Sequence, residues 1–282
     1  MRRIRTRGYR ESGVSRLQVG YLAIVVAALL APLALIALMS FNSSALGTFP
    51  FSGTFAWYRA LAHESGLLHA TLLSLELAAG VAATCAVLGT MLGVWLARYA
   101  RRLGQVTLNA VLVVTVTVPW LVLGVAMLLI LNASGVGRSY LGLYLGDAAV
   151  ALPYTVFIVF ARLIGTDPAI EEAAQSLGAR PLKVFLRIVL PITAPAIAAG
   201  TLMAFVVCFN NFIIQYFVAP FGVQTLPIDI FGLIRIGYQP DIDALATIIT
   251  LLTLVPVMIL NRLVYGPASR GSRAEVGVPV VG

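Results

Sequence analysis

The chain has 282 residues, 60% of them apolar and only 11% charged, with a formal net charge of +8. Water-soluble domains carry roughly 25% charged residues, so this composition has too few to cover a wetted surface, and one ordinary core of this length needs less apolar material. The positive charge does not point to nucleic acid, because the basic residues stand in short clusters between apolar runs and do not alternate with aromatics.

The apolar runs are about 20 residues long, the length that crosses a hydrocarbon layer of roughly 30 Å at 1.5 Å per residue. Residues 1–18 form a basic N-tail with Arg2, Arg3, Arg5, Arg7, Arg10 and Arg16. The run behind it is too long for a signal peptide and lacks a clean cleavage site, so Val19 to Met39 reads as a retained first span. A polar loop from Ser40 to about Gly66 follows. Span two runs from about Leu67 to Leu96. Span three covers about Val106 to Leu131 and contains Pro119. A Gly- and Ser-rich loop over Asn132 to Asp147 leads to a short span four, Ala148 to Ile164, with Pro153 inside. Apolarity then breaks from Asp167 to Pro191. Span five covers about Ile192 to Val218 and span six about Ala244 to Tyr265. The transmembrane domain is thus 19–265, and the small, polar tail 266–282 is expected to be disordered.

About six spans put both termini on one side of the membrane. All 19 lysines and arginines except Arg59, Arg138 and Arg235 lie on that side. The positive-inside rule then makes it cytoplasmic, together with the Asp167 to Pro191 segment. Cys85 and Cys208 fall inside apolar runs and read as buried free thiols. His63 and His69 have no Cys or Asp cluster at ligand spacing, which argues against a metal site.

The cytoplasmic segment has explicit local chemistry. Asp167 is placed to cap a helix that begins at Pro168, where a missing N–H costs nothing. Glu171 and Glu172 lie early in that helix, where its dipole favours negative charge. Gly178 suits the left-handed position after its end, and Pro181 is placed to start a second short helix. Ala173 and Ala174 present a small surface that lets another protein come close. Such an exposed elbow suits docking better than catalysis.

Glu172-Ala173-Ala174, then three residues, Gly178, nine residues, and Ile188-x-Leu190-Pro191 resembles the full EAA loop of ABC importer permeases. The resemblance implies an all-α integral membrane fold of the type I importer class. It also implies that Glu172, Ala173, Ala174, Gly178 and Pro191 belong to a cytoplasmic coupling helix that docks on separate ATPase subunits. ATP and Mg would bind there, since this chain has no Gly-x-x-x-x-Gly-Lys-Ser/Thr loop and needs no cofactor of its own. The other partners implied are a second related permease, making a heterodimer, and an external solute-binding protein. Ser40-Phe41-Asn42, Thr225-Leu226-Pro227-Ile228 and the stretch from Gly237 to Thr247 are similar to the spermidine/putrescine permease group. One departure stands out: where polyamine permeases are expected to carry two adjacent acids in span five, this chain has Asn210 and Asn211. Import of an opine or another amino-acid-like solute by the same machinery is the alternative.

Ionisable groups inside a membrane are costly and mark solute paths. Glu76 is expected to be the one acid within a span, lining the path, sitting near the outer interface or pairing with a neighbouring subunit. Asn210, Asn211, Gln215 and Tyr216 cluster in span five, with 211 and 215 on one helical face. They serve as glue between helices or as path lining. Pro119-Trp120 and Pro153-Tyr154 are candidate hinges. Gly80, Gly89 and Gly93 read as a close-packing face of span two. An ion-coupled carrier would need more intramembrane charge and paired broken helices; an enzyme would need clustered acid, base or metal-binding residues. Neither pattern is present.

Overall fold

A computed structural model describes residues 16–44, 51–100, 102–236 and 240–265. Most of the basic N-tail, the C-terminal tail and the Gly237 to Gln239 part of the last loop lie outside the described residues. Among the described residues, five helices are long and apolar enough to cross a membrane, or six if the bent pair Gly104–Thr117 and Trp120–Ala133 counts as one span. The described chain is almost entirely helical, and it divides into two units.

The smaller unit contains residues 1–60 and 238–249. Its helix α1, Arg16–Met39, is apolar on every side, and no residue of its membrane-length window is buried. The chain then turns sharply at the predicted Ser40-Phe41-Asn42. Ser40 Oγ lies 2.7 Å from the Tyr58 hydroxyl and Trp57 Nε1 donates to the Asn42 carbonyl at 2.8 Å. The Phe41 ring packs on Phe55 and Tyr58 at 5.2–5.3 Å between centroids. These bonds tie the turn to α2, Ala56–His63, so the tripeptide is a folded corner.

The larger unit, residues 61–237 and 250–282, is built on three helices. They are α3 (Ser65–Arg98), α6 (Tyr140–Ile164) and α9 (Leu190–Phe209). Without a hydrophobic driving force in lipid, helices associate through close packing, and small residues permit it. A Cβ at Gly89 would stand 2.7 Å from the Thr155 side chain, and one at Gly200 would stand 2.9 Å from Thr155 Cγ2. Thr155 therefore sits between two bare backbones, and its hydroxyl donates to the Gly200 carbonyl at 2.9 Å. Gly93 meets Val159 in the same way, and the Tyr144 hydroxyl donates to the Gly80 carbonyl at 2.8 Å. The expected glycine face of span two is thus the surface that packs on α6.

Three expected boundaries change. The third span is two helices, α4 (Arg102–Thr117) and α5 (Trp120–Ala133), bent by 108° at the break. Pro119 has no N–H to continue the ladder and restricts the residue before it, so the chain restarts there, with Val122 and Leu123 donating to the Pro119 carbonyl. By contrast, α6 runs through Pro153 without interruption.

The fourth span starts at Tyr140, not Ala148. Ser139 caps it by accepting from the Gly142 N–H at 3.1 Å. Gly142 and Gly146, which suggested a loop, are close-contact positions: their Cβ atoms would meet Leu131 at 2.8 Å and Ile214 at 3.1 Å. The expected fifth span from Ile192 to Val218 begins earlier and ends earlier. A continuous 29-residue helical stretch covers Pro181–Phe209. It comprises α8 (Pro181–Val184), a π-helical turn (Phe185–Val189) and α9. The wide turn falls just before Pro191, whose missing N–H leaves a carbonyl of the preceding turn without its ordinary partner. The separate second helix expected after Pro181 is therefore the foot of span five.

The chain breaks again at Asn210-Asn211 before α10, Phe212–Val218. It continues through α11, Leu226–Ile236, and α12, Pro240–Tyr265. The Leu226 N–H donates to Ser74 Oγ at 2.8 Å, which ties α11 to α3.

Candidate functional site

Two places concentrate the polar chemistry: an exposed elbow after α6 and a carboxylate buried between α6 and the break in span five.

The elbow is α7, Ala169–Ser176. Asp167 accepts from the Ala169 N–H at 2.9 Å, so the capping group is the predicted one, although regular helix starts one residue later than expected. At the other end Gly178 has φ +83°. Its N–H reaches the Gln175 carbonyl at 2.9 Å and the Ala179 N–H reaches the Ala174 carbonyl at 3.1 Å, which closes the last turn as a left-handed cap. Glu172, Ala173 and Gly178 are exposed, Ala174 is half-buried, and Pro191 lies apart from them on the exposed side of α9. Beside them, Leu177 is 89% exposed and Leu182 69%, with Ile170 and Leu186 about half exposed. An apolar patch rimmed by charge marks an interaction surface.

The buried site centres on Asp147, which is fully inaccessible. The sequence placed it in a loop and named Glu76 as the one acid within a span; the earlier start of α6 brings Asp147 inside. Asn211 Nδ2 donates to its Oδ1 at 2.8 Å, and Gln215 Nε2 donates to its Oδ2 at 2.9 Å. Cys208 Sγ approaches Oδ2 at 3.4 Å. Gln215 Nε2 also donates to the Cys208 carbonyl at 2.9 Å, and Asn211 Oδ1 caps α10 by accepting from the Ile214 N–H at 3.2 Å. Asn211 and Gln215 on the α10 side and Cys208 on the α9 side thus bind both ends of the break to one carboxylate, whose partners among the described residues are all neutral. Gln215 Oε1 is buried with no partner among the described residues.

The predicted foursome therefore divides. Asn211 and Gln215 share a face, as expected, and turn inward to Asp147. Asn210 is exposed, its Nδ2 bonded to the Val206 carbonyl, and Tyr216 is 44% exposed against Phe212 and Phe231. Glu76 lies exposed on α3, with no hydrogen bond or ion pair among the described residues. The missed signal was Ser139, an N-cap type followed by an unbroken helical pattern. A further cavity of about 200 Å³ is lined by Glu64, Leu67, Gln224, Asp229, Gly232 and Leu233. Burial pushes the Asp229 carboxyl up from its ordinary range.

Comparison with known proteins agrees with this geometry. Residues 89–266 match the family described as "Binding-protein-dependent transport system inner membrane component". The putrescine transport system permease protein PotI of Escherichia coli is 36% identical over 227 residues, covering 78% of this chain and 81% of that protein. The spermidine/putrescine transport system permease protein PotC of the same species is 30% identical over 257 residues, covering 91% of this chain and 97% of its own length. Among solved structures, a bacterial ABC transporter involved in import of the acidic polysaccharide alginate aligns with a TM-score of 0.63. That alignment has 16% identity and covers 88% of this chain and 95% of that one. The MetNI methionine ABC transporter aligns with a TM-score of 0.57 at 15% identity, covering 72% and 98%. At such identities the likeness concerns the fold. An EAA-type elbow between two spans, the family match and the curated relatives together make this chain a member of the binding-protein-dependent permease family, the membrane-spanning subunit of an ATP-driven importer and not an enzyme.

Proposed function

We propose that this permease passes a di- or polyamine, paired with a second, related permease and fed by an external binding protein. The observation that carries the solute class is Asp147: a buried carboxylate held by amides at a helix break, with no basic side chain bonded to it among the described residues. An isolated negative charge in a span is costly unless it serves a path or a partner, and broken helices are where transporters place solute sites. The relatives named for putrescine and spermidine support this reading, as do Glu64 and Asp229 in the 200 Å³ cavity.

In this reading both termini and α7 face the cytoplasm. The exposed patch of Ile170, Leu177 and Leu182 around Glu172 and the two alanines seats in the ATPase subunit, which binds ATP and Mg. Nucleotide-driven closure of the ATPase pair draws the elbows together and shifts the spans between two arrangements. The test is uptake into proteoliposomes carrying this chain with its ATPase, partner permease and binding protein. ATP-dependent accumulation of labelled putrescine or spermidine is expected. Accumulation of an opine or amino-acid-like solute with no polyamine uptake would replace the solute class and keep the machinery.

Glu76 is exposed on α3, so it is a second candidate for lining the path. Glu76→Gln is expected to lower putrescine uptake severalfold while leaving the amount of assembled complex unchanged. Uptake at the wild-type rate would remove Glu76 from the path.

A further inference from the structure

Chain connectivity gives the α7 elbow two covalent attachments: residues 165–168 lead back to α6, and the Pro181–Phe209 helix leads on to α9. Helix α3, the third member of the bundle, has no such link. A side chain supplies one. Arg98, in the last turn of α3, donates from Nε to Glu171 Oε1 at 2.8 Å and from a terminal nitrogen to the Thr166 carbonyl at 3.2 Å. One guanidinium thus holds both the helix and the strand of chain leading into it.

The surroundings favour a firm link. The two side chains are 12% and 14% exposed, so water and salt screen them less than an open surface pair. Arg98 lies at the negative end of the α3 dipole and Glu171 near the positive end of α7, so both helices support the pairing. The planar guanidinium fixes two acceptors at once, which a lysine cannot do. One turn toward the membrane, Val94 packs with Val159 and Leu163 of α6 and with Val189 of the π-helical turn, and Ala97 and Phe185 pack against them. Below this layer, Arg98 joins α3 to the elbow and to the segment that links the elbow to α6.

We infer that Arg98 is the positioning residue through which movement of the coupling helix reaches α3, so that α3, α6 and α9 move together. This rests on the docking role proposed for α7. Without the link, an elbow drawn by its ATPase pulls on α6 and α9 while α3 lags, and hydrolysis proceeds without full transport.

The experiment uses the complete reconstituted complex and reads two quantities, ATP hydrolysed and labelled putrescine transported. Arg98→Ala is expected to assemble and hydrolyse ATP normally but to move about tenfold less putrescine per ATP, a typical size for coupling between sites. Arg98→Lys is expected to recover only part of the ratio, and Glu171→Gln, which keeps an acceptor oxygen, most of it. A second measurement separates linkage from fold maintenance. Arg98→Cys with Glu171→Cys, bridged by a reducible thiol-reactive spacer, is expected to restore the ratio and to lose it again on reduction; the native Cys85 and Cys208 are buried. A wild-type ratio in Arg98→Ala, or a bridged pair that stays uncoupled, overturns the inference. If the wild-type complex moves no putrescine while α7 still cross-links to the ATPase, the solute reading fails and the linkage is read with the true solute.

Discussion

Gly178→Val is expected to remove nearly all binding-protein-stimulated ATP hydrolysis, whereas Gly178→Asn keeps most of it. At φ +83° a side chain costs roughly 1–2 kcal/mol, more when it is β-branched, and asparagine tolerates the conformation best. A Cβ at this position meets nothing within 4 Å, so the effect comes from the backbone alone. Valine is relieved only if the cap opens, which breaks the bonds from Gly178 to Gln175 and from Ala179 to Ala174. The elbow then leaves the angle at which Glu172 and the alanines are presented. The chain remains in the membrane because the change lies outside the bundle. Stimulated hydrolysis by the purified complex, beside its content in membranes, checks this. Equal stimulation in the valine and asparagine variants would show that the cap geometry is irrelevant to docking.

The second large effect is expected at Asp147, where two substitutions separate structure from transport. Asp147→Ala leaves Asn211 Nδ2 buried without an acceptor and opens a void between α6 and α10. An orphaned buried donor costs about 1–3 kcal/mol. Together with the void, this predicts a fall in unfolding temperature of about 5–10 °C in detergent. Asp147→Asn preserves shape, and Gln215 can turn its Oε1 to accept the new N–H at the cost of its bond to the Cys208 carbonyl. Its fold is expected to survive while uptake of a dication falls at least about tenfold, since an amide offers a dipole where a charge stood. Wild-type uptake by the asparagine variant would reduce Asp147 to a helix fastener. Thermal unfolding and vesicle uptake on the same preparations decide it.

The elbow was legible in the sequence because its signals are local. Asp167, the two glutamates, Gly178 and Pro181 each act within one turn of helix, and all occupy the places that their chemistry predicts. The apolar runs were also legible, since a bilayer imposes a length on them. What escaped was set by contacts between distant residues. Gly142 and Gly146 carry the composition of a loop, yet they lie in a helix because Leu131 and Ile214 come too close for a side chain. Reading them as a loop moved Asp147 out of the membrane and hid the acid that organises the break in span five. Asn211 and Gln215 were correctly placed on one face, but sequence spacing says nothing of what that face meets. The Arg98–Glu171 pair, 73 positions apart, has no sequence signature at all.

The unbroken Pro181–Phe209 stretch has a mechanical consequence. At 1.5 Å per residue its 29 residues make a rod about 43 Å long. Its seat at Gly200 against Thr155 lies about two-thirds of the way along from Pro181. With α3 and α6 carried along, a rigid tilt of the bundle about the level of that seat gives arms of roughly 29 and 14 Å, so a displacement at the foot is halved in size at the far end and roughly doubled in force. Such gearing trades a long, weak stroke at the elbow for a short, strong one beside Asn210, where the helix stops.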